Sequence, residues 1–132
     1  MIIEMVDVVD IPPLEHDEAM ARAAIGYDRL LDVVDSLLPD DWSEGTDCTG
    51  WDVKDVVAHL LGWMEANADP AEAGRQLAVA SRTAQEQGIL RLDAQTGLHV
   101  REHAHWSPAE LTAAMHERAG RALAGRTAAP AE

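Results

Sequence analysis

The sequence predicts an all-α, antiparallel helical bundle, and three observations predict it. Apolar residues recur at alternating spacings of three and four along the longest segments, which draws stripes down helices. The chain has no Phe and only one Tyr, so its core must come from Leu, Val, Ala and Met, residues that suit closely approaching helices better than sheets. Helix start and stop signals also punctuate the chain at regular intervals. At 132 residues, 47% of them apolar, it is long enough to bury a core as one domain. The expected bundle is incomplete: three main helices plus a broken connecting helix.

Residues 1–14 read as an N-terminal arm, closed by Pro12-Pro13. The bundle domain spans 15–125. Its first helix runs from His16 to about Leu38, with Met20, Ala24, Tyr27, Leu31, Val34 and Leu38 on one stripe and Pro39 as the stop. Asp17 and Glu18 suit its first turn, at the positive end of the helix dipole. Residues 39–51, PDDWSEGTDCTGW, form a loop. The second helix runs from Val53 to about Ala66, capped by Asp52, with Val53, Val56, Val57, Leu60, Leu61 and Met64 inward. Trp51 stands where it can pack back onto that helix. A weaker helical region from Ala71 to Gln87 is interrupted by Gly88, and 89–105 continues as helix of unassigned phase. Ser107-Pro108-Ala109-Glu110 then opens a last helix to about Leu123, with Leu111, Met115, Ala119 and Ala122 inward. Residues 126–132 are expected to be a flexible tail.

The formal charge of −14 is concentrated early, with fifteen acids against three bases in residues 1–55. Such a surface repels phosphate backbones, which argues against nucleic acid as a partner. The N-terminal segment carries Glu4, Asp7 and Asp10 and no base, unlike a secretory signal, and no run approaches membrane-spanning length. The single cysteine, Cys48, excludes an internal disulfide. A cytoplasmic protein is the expectation, with no membrane partner.

The histidines carry the chemistry. His59 lies on the flank of the second helix's apolar stripe, near Asp55 and Trp63, where it can point along a seam between helices. Side chains of facing helices converge in such seams to bind metals, and Asp55 could orient the ring from outside. His99 and His103, four apart, would share a helix face and could chelate one ion, although Arg101 and Glu102 give that segment an exposed look. On periodicity alone, a flank histidine hydrogen-bonded to its neighbours, with no metal, is the better fit for His59. His16 and His116 look solvated. Cys48 reads as a loop-packing residue, because Asp47 and Asp52 beside it disfavour a thiolate.

Trp42, the run CTGW at 48–51 and DVVAHL at 55–60, with DAQTGLHVREHAHWSPAEL at 93–111, resemble a known family. It is the N-terminal domain of mycothiol-dependent maleylpyruvate isomerases, in the DinB-like superfamily common in actinobacteria. The resemblance implies a helical bundle holding a divalent metal, usually zinc, through three side chains, one of them matching His59. It also implies mycothiol as cosubstrate, with the metal lowering a thiol's pKa so that its thiolate adds to an electrophile in an isomerase or S-transferase reaction. The Glu and His that supply the family's other ligands, one turn apart on a further helix, have no counterpart, since no Glu-x-x-x-His occurs in the chain. Three expectations follow: a metal-binding domain of a thiol-dependent enzyme, a non-catalytic module that kept the fold, or a homodimer that completes the bundle.

Overall fold

The computed structural model describes residues 4–130, and among these every regular element is helical. Five α-helices follow one another: α1 (His16–Asp35), α2 (Val53–Ala68), α3 (Pro70–Gln87), α4 (Arg91–Glu102) and α5 (Pro108–Ala128). Single 3-10 turns precede α1 (Val8–Asp10) and α2 (Pro39–Ser43).

Three helices start where the sequence supplies an acceptor for their first free N–H groups. Asp52 accepts from the Asp55 N–H at 2.9 Å while Asp55 accepts from the Asp52 N–H at 3.1 Å, a reciprocal cap on α2. Asp69 ends α2 and caps α3, accepting from the Ala71 N–H at 2.9 Å with Pro70 behind it. Ser107 accepts from the Glu110 N–H at 3.1 Å ahead of Pro108. Gly88 closes α3 at φ 65°, a left-handed position that glycine fills without strain. It breaks the connecting region into the α3–α4 hairpin.

Helix α2 is the hub, touching α3, α4, α5 and the Pro39–Ser43 turn, while α1 packs on α5. The core lies between α1, α2 and α5, from Val34, Trp42, Val57, Leu61 and Met64 to Leu111, Met115, Ala119 and Ala122. All four residues expected inward on α5 are buried. Helices α1 and α5 are antiparallel: His16 bonds the Thr127 carbonyl at 2.9 Å and His116 reaches Asp35 at 2.7 Å. Both histidines thus have protein partners, beyond the solvated surroundings expected for them. Helices α2 and α5, by contrast, run parallel. Trp42, in the turn against the start of α2, lines a pocket with Pro108 and Thr112 at the start of α5. Near their ends, Gly125 lies against the Asn67 carbonyl with no room for a side chain. The α3–α4 hairpin carries the chain back and so permits that parallel pair.

Element ends differ modestly from expectation. Helix α1 stops at Asp35, leaving Leu38 66% exposed, because Ser36 closes it and the next turn begins at Pro39. Helix α5 continues to Ala128, beyond Leu123. In the N-terminal arm, Ile2 and Ile3 lie outside the described residues, and Met5, Val6, Val8, Val9, Ile11 and Leu14 are exposed.

Candidate functional site

The stretch before α2 is built to present a ring. Cys48 to Trp51 form a β-turn closed by the Trp51 N–H donating to the Cys48 carbonyl at 2.9 Å, with Gly50 at φ 80° in its third position. Thr46 reinforces it, its hydroxyl donating to the Trp51 carbonyl at 2.8 Å. The turn lays Trp51 on His59, with ring centroids 5.4 Å apart. Trp63, one turn further along α2, stands edge-on to His59 at 6.2 Å and to His99 at 5.2 Å. Cys48 contributes its backbone here, and its thiol is free and exposed.

His59 does face a seam, the one between α2 and α4. Its Nδ1 lies 3.1 Å from Nδ1 of His99. The expected outer partner, Asp55, is instead engaged in the helix cap, one turn before it could orient the ring. His99 takes that place. Its segment was expected to be exposed, yet His99 is 0% exposed and His103 5%. Helix α4 and its C-cap turn these two imidazoles inward, while Arg101 and Glu102 between them face water.

The room for His99 comes from Gly62, where any Cβ would overlap the imidazole ring. From there a buried polar chain runs into α3. His99 Nε2 lies 2.7 Å from Gln76 Oε1, and the Gln76 amide donates to the Gly62 carbonyl at 3.0 Å and to Glu72 at 3.2 Å. Gln95 adds a donor to Gln76 Oε1 at 3.3 Å. Arg75 clamps Glu72 at 2.7 Å and Glu102 at 2.8 Å, tying α3 to the end of α4. The Arg75 guanidinium holds the Glu72 carboxyl below the usual range.

His103 lies one turn beyond His99 and has different partners. Its Nδ1 donates to the His99 carbonyl at 2.6 Å and its Nε2 to Glu65 Oε1 at 2.6 Å. Both partners are acceptors when Glu65 is ionised, so both ring nitrogens carry protons and the ring is an imidazolium. Burial disfavours that charge, but the Glu65 and His99 bonds outweigh it and raise the His103 pKa. For His99, burial, helped by the charges of His59 and His103, pushes the pKa down to about 4. Burial lowers His59 as well. Burial thus favours the neutral form of His59 and His99, whereas the partners of His103 favour its charged form.

The placement of the candidate ligands follows. His59 and His99 come together, while His103 turns to Glu65. Among the described residues no group of three His, Cys, Asp or Glu side chains is placed to hold a metal ion. His59 can fill one place in a metal's coordination shell through Nε2, which among the described residues makes no hydrogen bond. The three-donor set implied by the resemblance does not assemble from these residues. Sequence reasoning missed Glu65, Gln76 and Gln95. The one signal for them was Gly62, a buried glycine inside an apolar helix, which marks a close approach.

Beside Trp63 a groove of about 520 Å³ opens, lined by Leu77, Leu90, Arg91, Leu92 and Gln95. Trp63 and Gln95 connect it to the imidazole pair. No described helix is long and apolar enough to cross a membrane. No curated protein and no solved structure matches the chain. The family described as the mycothiol maleylpyruvate isomerase N-terminal domain matches residues 23–132. With that match over most of its length, and with the helical bundle the DinB-like superfamily implies, the chain belongs to the mycothiol maleylpyruvate isomerase N-terminal domain family.

Proposed function

We propose that this domain carries out thiol-dependent isomerisation or transfer, with mycothiol as the thiol and His59 as the group that meets it. The observation that carries this is the free Nε2 of His59, an imidazole nitrogen without a protein partner among the described residues, framed by Trp51 and Trp63. Burial keeps the ring neutral, so Nε2 can take the proton of a thiol. The thiolate then adds to a conjugated double bond, and the displaced electron pair moves onto the neighbouring carbonyl. The new single bond rotates. Departure of the thiolate restores the double bond, and His59 returns the proton. The groove beside Trp63 offers an apolar wall for the electrophile, and Arg91 at its edge offers a cation.

Zinc, or another divalent metal, would take the same His59 Nε2 lone pair in place of the proton, with its remaining donors coming from outside the described residues. That the described residues form no three-donor group favours a second reading, a helical interaction module that kept the fold without the chemistry. One experiment separates the two. Purified protein is assayed for isomerisation of maleylpyruvate with and without mycothiol, beside His59→Ala, with zinc measured on the same samples. Thiol-dependent turnover that falls about 100-fold or more in the variant is expected, the range for losing a proton-transfer group. A folded wild type with no thiol-dependent turnover overturns the enzymatic reading and leaves the module.

A further inference from the structure

The polar chain behind His59 has a direction that fixes where the protons sit. The Gln76 amide nitrogen faces the Gly62 carbonyl and the Glu72 carboxylate, both acceptors, at 3.0 and 3.2 Å. Its orientation is therefore set, and Oε1 must face His99. An amide oxygen only accepts, so His99 Nε2, 2.7 Å away, carries the proton. In the neutral ring His99 Nδ1 is then a lone pair. His59 Nδ1, 3.1 Å from it, must be the donor. That leaves His59 Nε2 without a proton and, among the described residues, without a hydrogen-bond partner.

We propose that Gln76 and His99 are positioning residues that hold His59 in its Nδ1–H tautomer and so present the Nε2 lone pair to the site. This rests on His59 being the functional imidazole. Free histidine in its neutral form favours the opposite tautomer, with the proton on Nε2, so the chain imposes the less favoured form. Without it, the exposed nitrogen would mostly carry a proton and could neither take one from a thiol nor bind a cation. The device spans three helices: Glu72 and Gln76 on α3, His99 on α4, and His59 on α2 beside Gly62, whose carbonyl orients the amide. Arg75, bound to Glu72, keeps the terminal acceptor ionised.

Nitrogen-15 NMR of the histidine rings near neutral pH tests this directly, because protonated and unprotonated ring nitrogens have separate shifts. The wild type is expected to show His59 as Nδ1–H and His99 as Nε2–H. A wild-type His59 carrying its proton on Nε2 overturns the proposal without any variant. Gln76→Met removes the acceptor at similar volume, and His99→Phe fills the space beside Gly62 with a ring that cannot accept. In folded His99→Phe the dominant His59 form should change from Nδ1–H to Nε2–H, and in folded Gln76→Met, where no amide oxygen fixes His99, the Nε2–H share of His59 should rise. A His59 that stays Nδ1–H in His99→Phe, or shows no rise in Nε2–H in Gln76→Met, overturns the relay. The measurement needs no turnover, so an inactive protein with the expected tautomers would sink the thiol chemistry alone, and an active protein with the opposite tautomer would sink the relay alone.

Discussion

His99 and His103 sit one turn apart on the same stretch of chain, are both buried, and end in opposite states. His99 meets an amide oxygen and another imidazole, neither of which brings a negative charge to offset its own, and burial pushes its pKa down. His103 meets a carbonyl and a carboxylate, and it becomes a cation. The difference lies in the partners that α2 and α3 bring, since burial is similar. It separates two jobs. The His103–Glu65 pair pins the end of α4 to α2, while the neutral pair keeps a nitrogen available.

The two rings also tilt stability in opposite directions with pH. His99 takes a proton at about 6.5 when unfolded but only at about 4 when folded, so its contribution is present above pH 6.5 and is lost as pH falls toward 4. That contribution is on the order of 3 kcal/mol at most. His103 is raised in the folded state, so its contribution is complete below about pH 6.5 and is lost as pH rises through the folded value. These two residues alone set a stability maximum near pH 6.5, between the two losses.

The sharpest way to break the contrast is Gly62→Ala. The new methyl overlaps the His99 ring, so His99 must leave its pocket and the Gln76 chain with it. A loss of about 3 kcal/mol in denaturant unfolding is expected, at the upper end for overpacking. The His103–Glu65 pair should survive it, seen as an unchanged His103 titration. Glu65→Gln addresses the other ring and removes the charge that makes His103 a cation. A loss of about 2 kcal/mol is expected below pH 6.5, moderated because Glu65 is 20% exposed. The gap from wild type should narrow as pH rises through the folded His103 value, and a constant gap would contradict the assigned charge. Cys48→Ser should change stability by less than about 0.5 kcal/mol, because the turn uses the Cys48 backbone and leaves the thiol exposed. It should also leave thiol-dependent turnover intact.

Much of the scaffold was legible in the sequence, because its signals are local. The Asp52 and Ser107 caps, the glycine break at Gly88 and the stripes of α2 and α5 each follow from residues within a few positions. His59 could be placed on a seam for the same reason. The partner across the seam could not. Helix α4 buries Gln95 and His99 and α3 buries Gln76, so their polar residues point inward where hydropathy assigns them to solvent. Asp55 lies close to His59 in sequence, but its geometry served the cap. The parallel run of α2 and α5 was equally hidden, since it depends on the length and fold of the hairpin between them.

Gly62 has a consequence for kinship. A chain of this family with any larger residue at that position has no room for a ring where His99 lies, and one without a ring there would leave a hole if it kept the glycine. The two positions should therefore change together among relatives, glycine with histidine and a side chain with something smaller. A simple pair of letters, 37 positions apart, would then mark which members carry the buried imidazole pair.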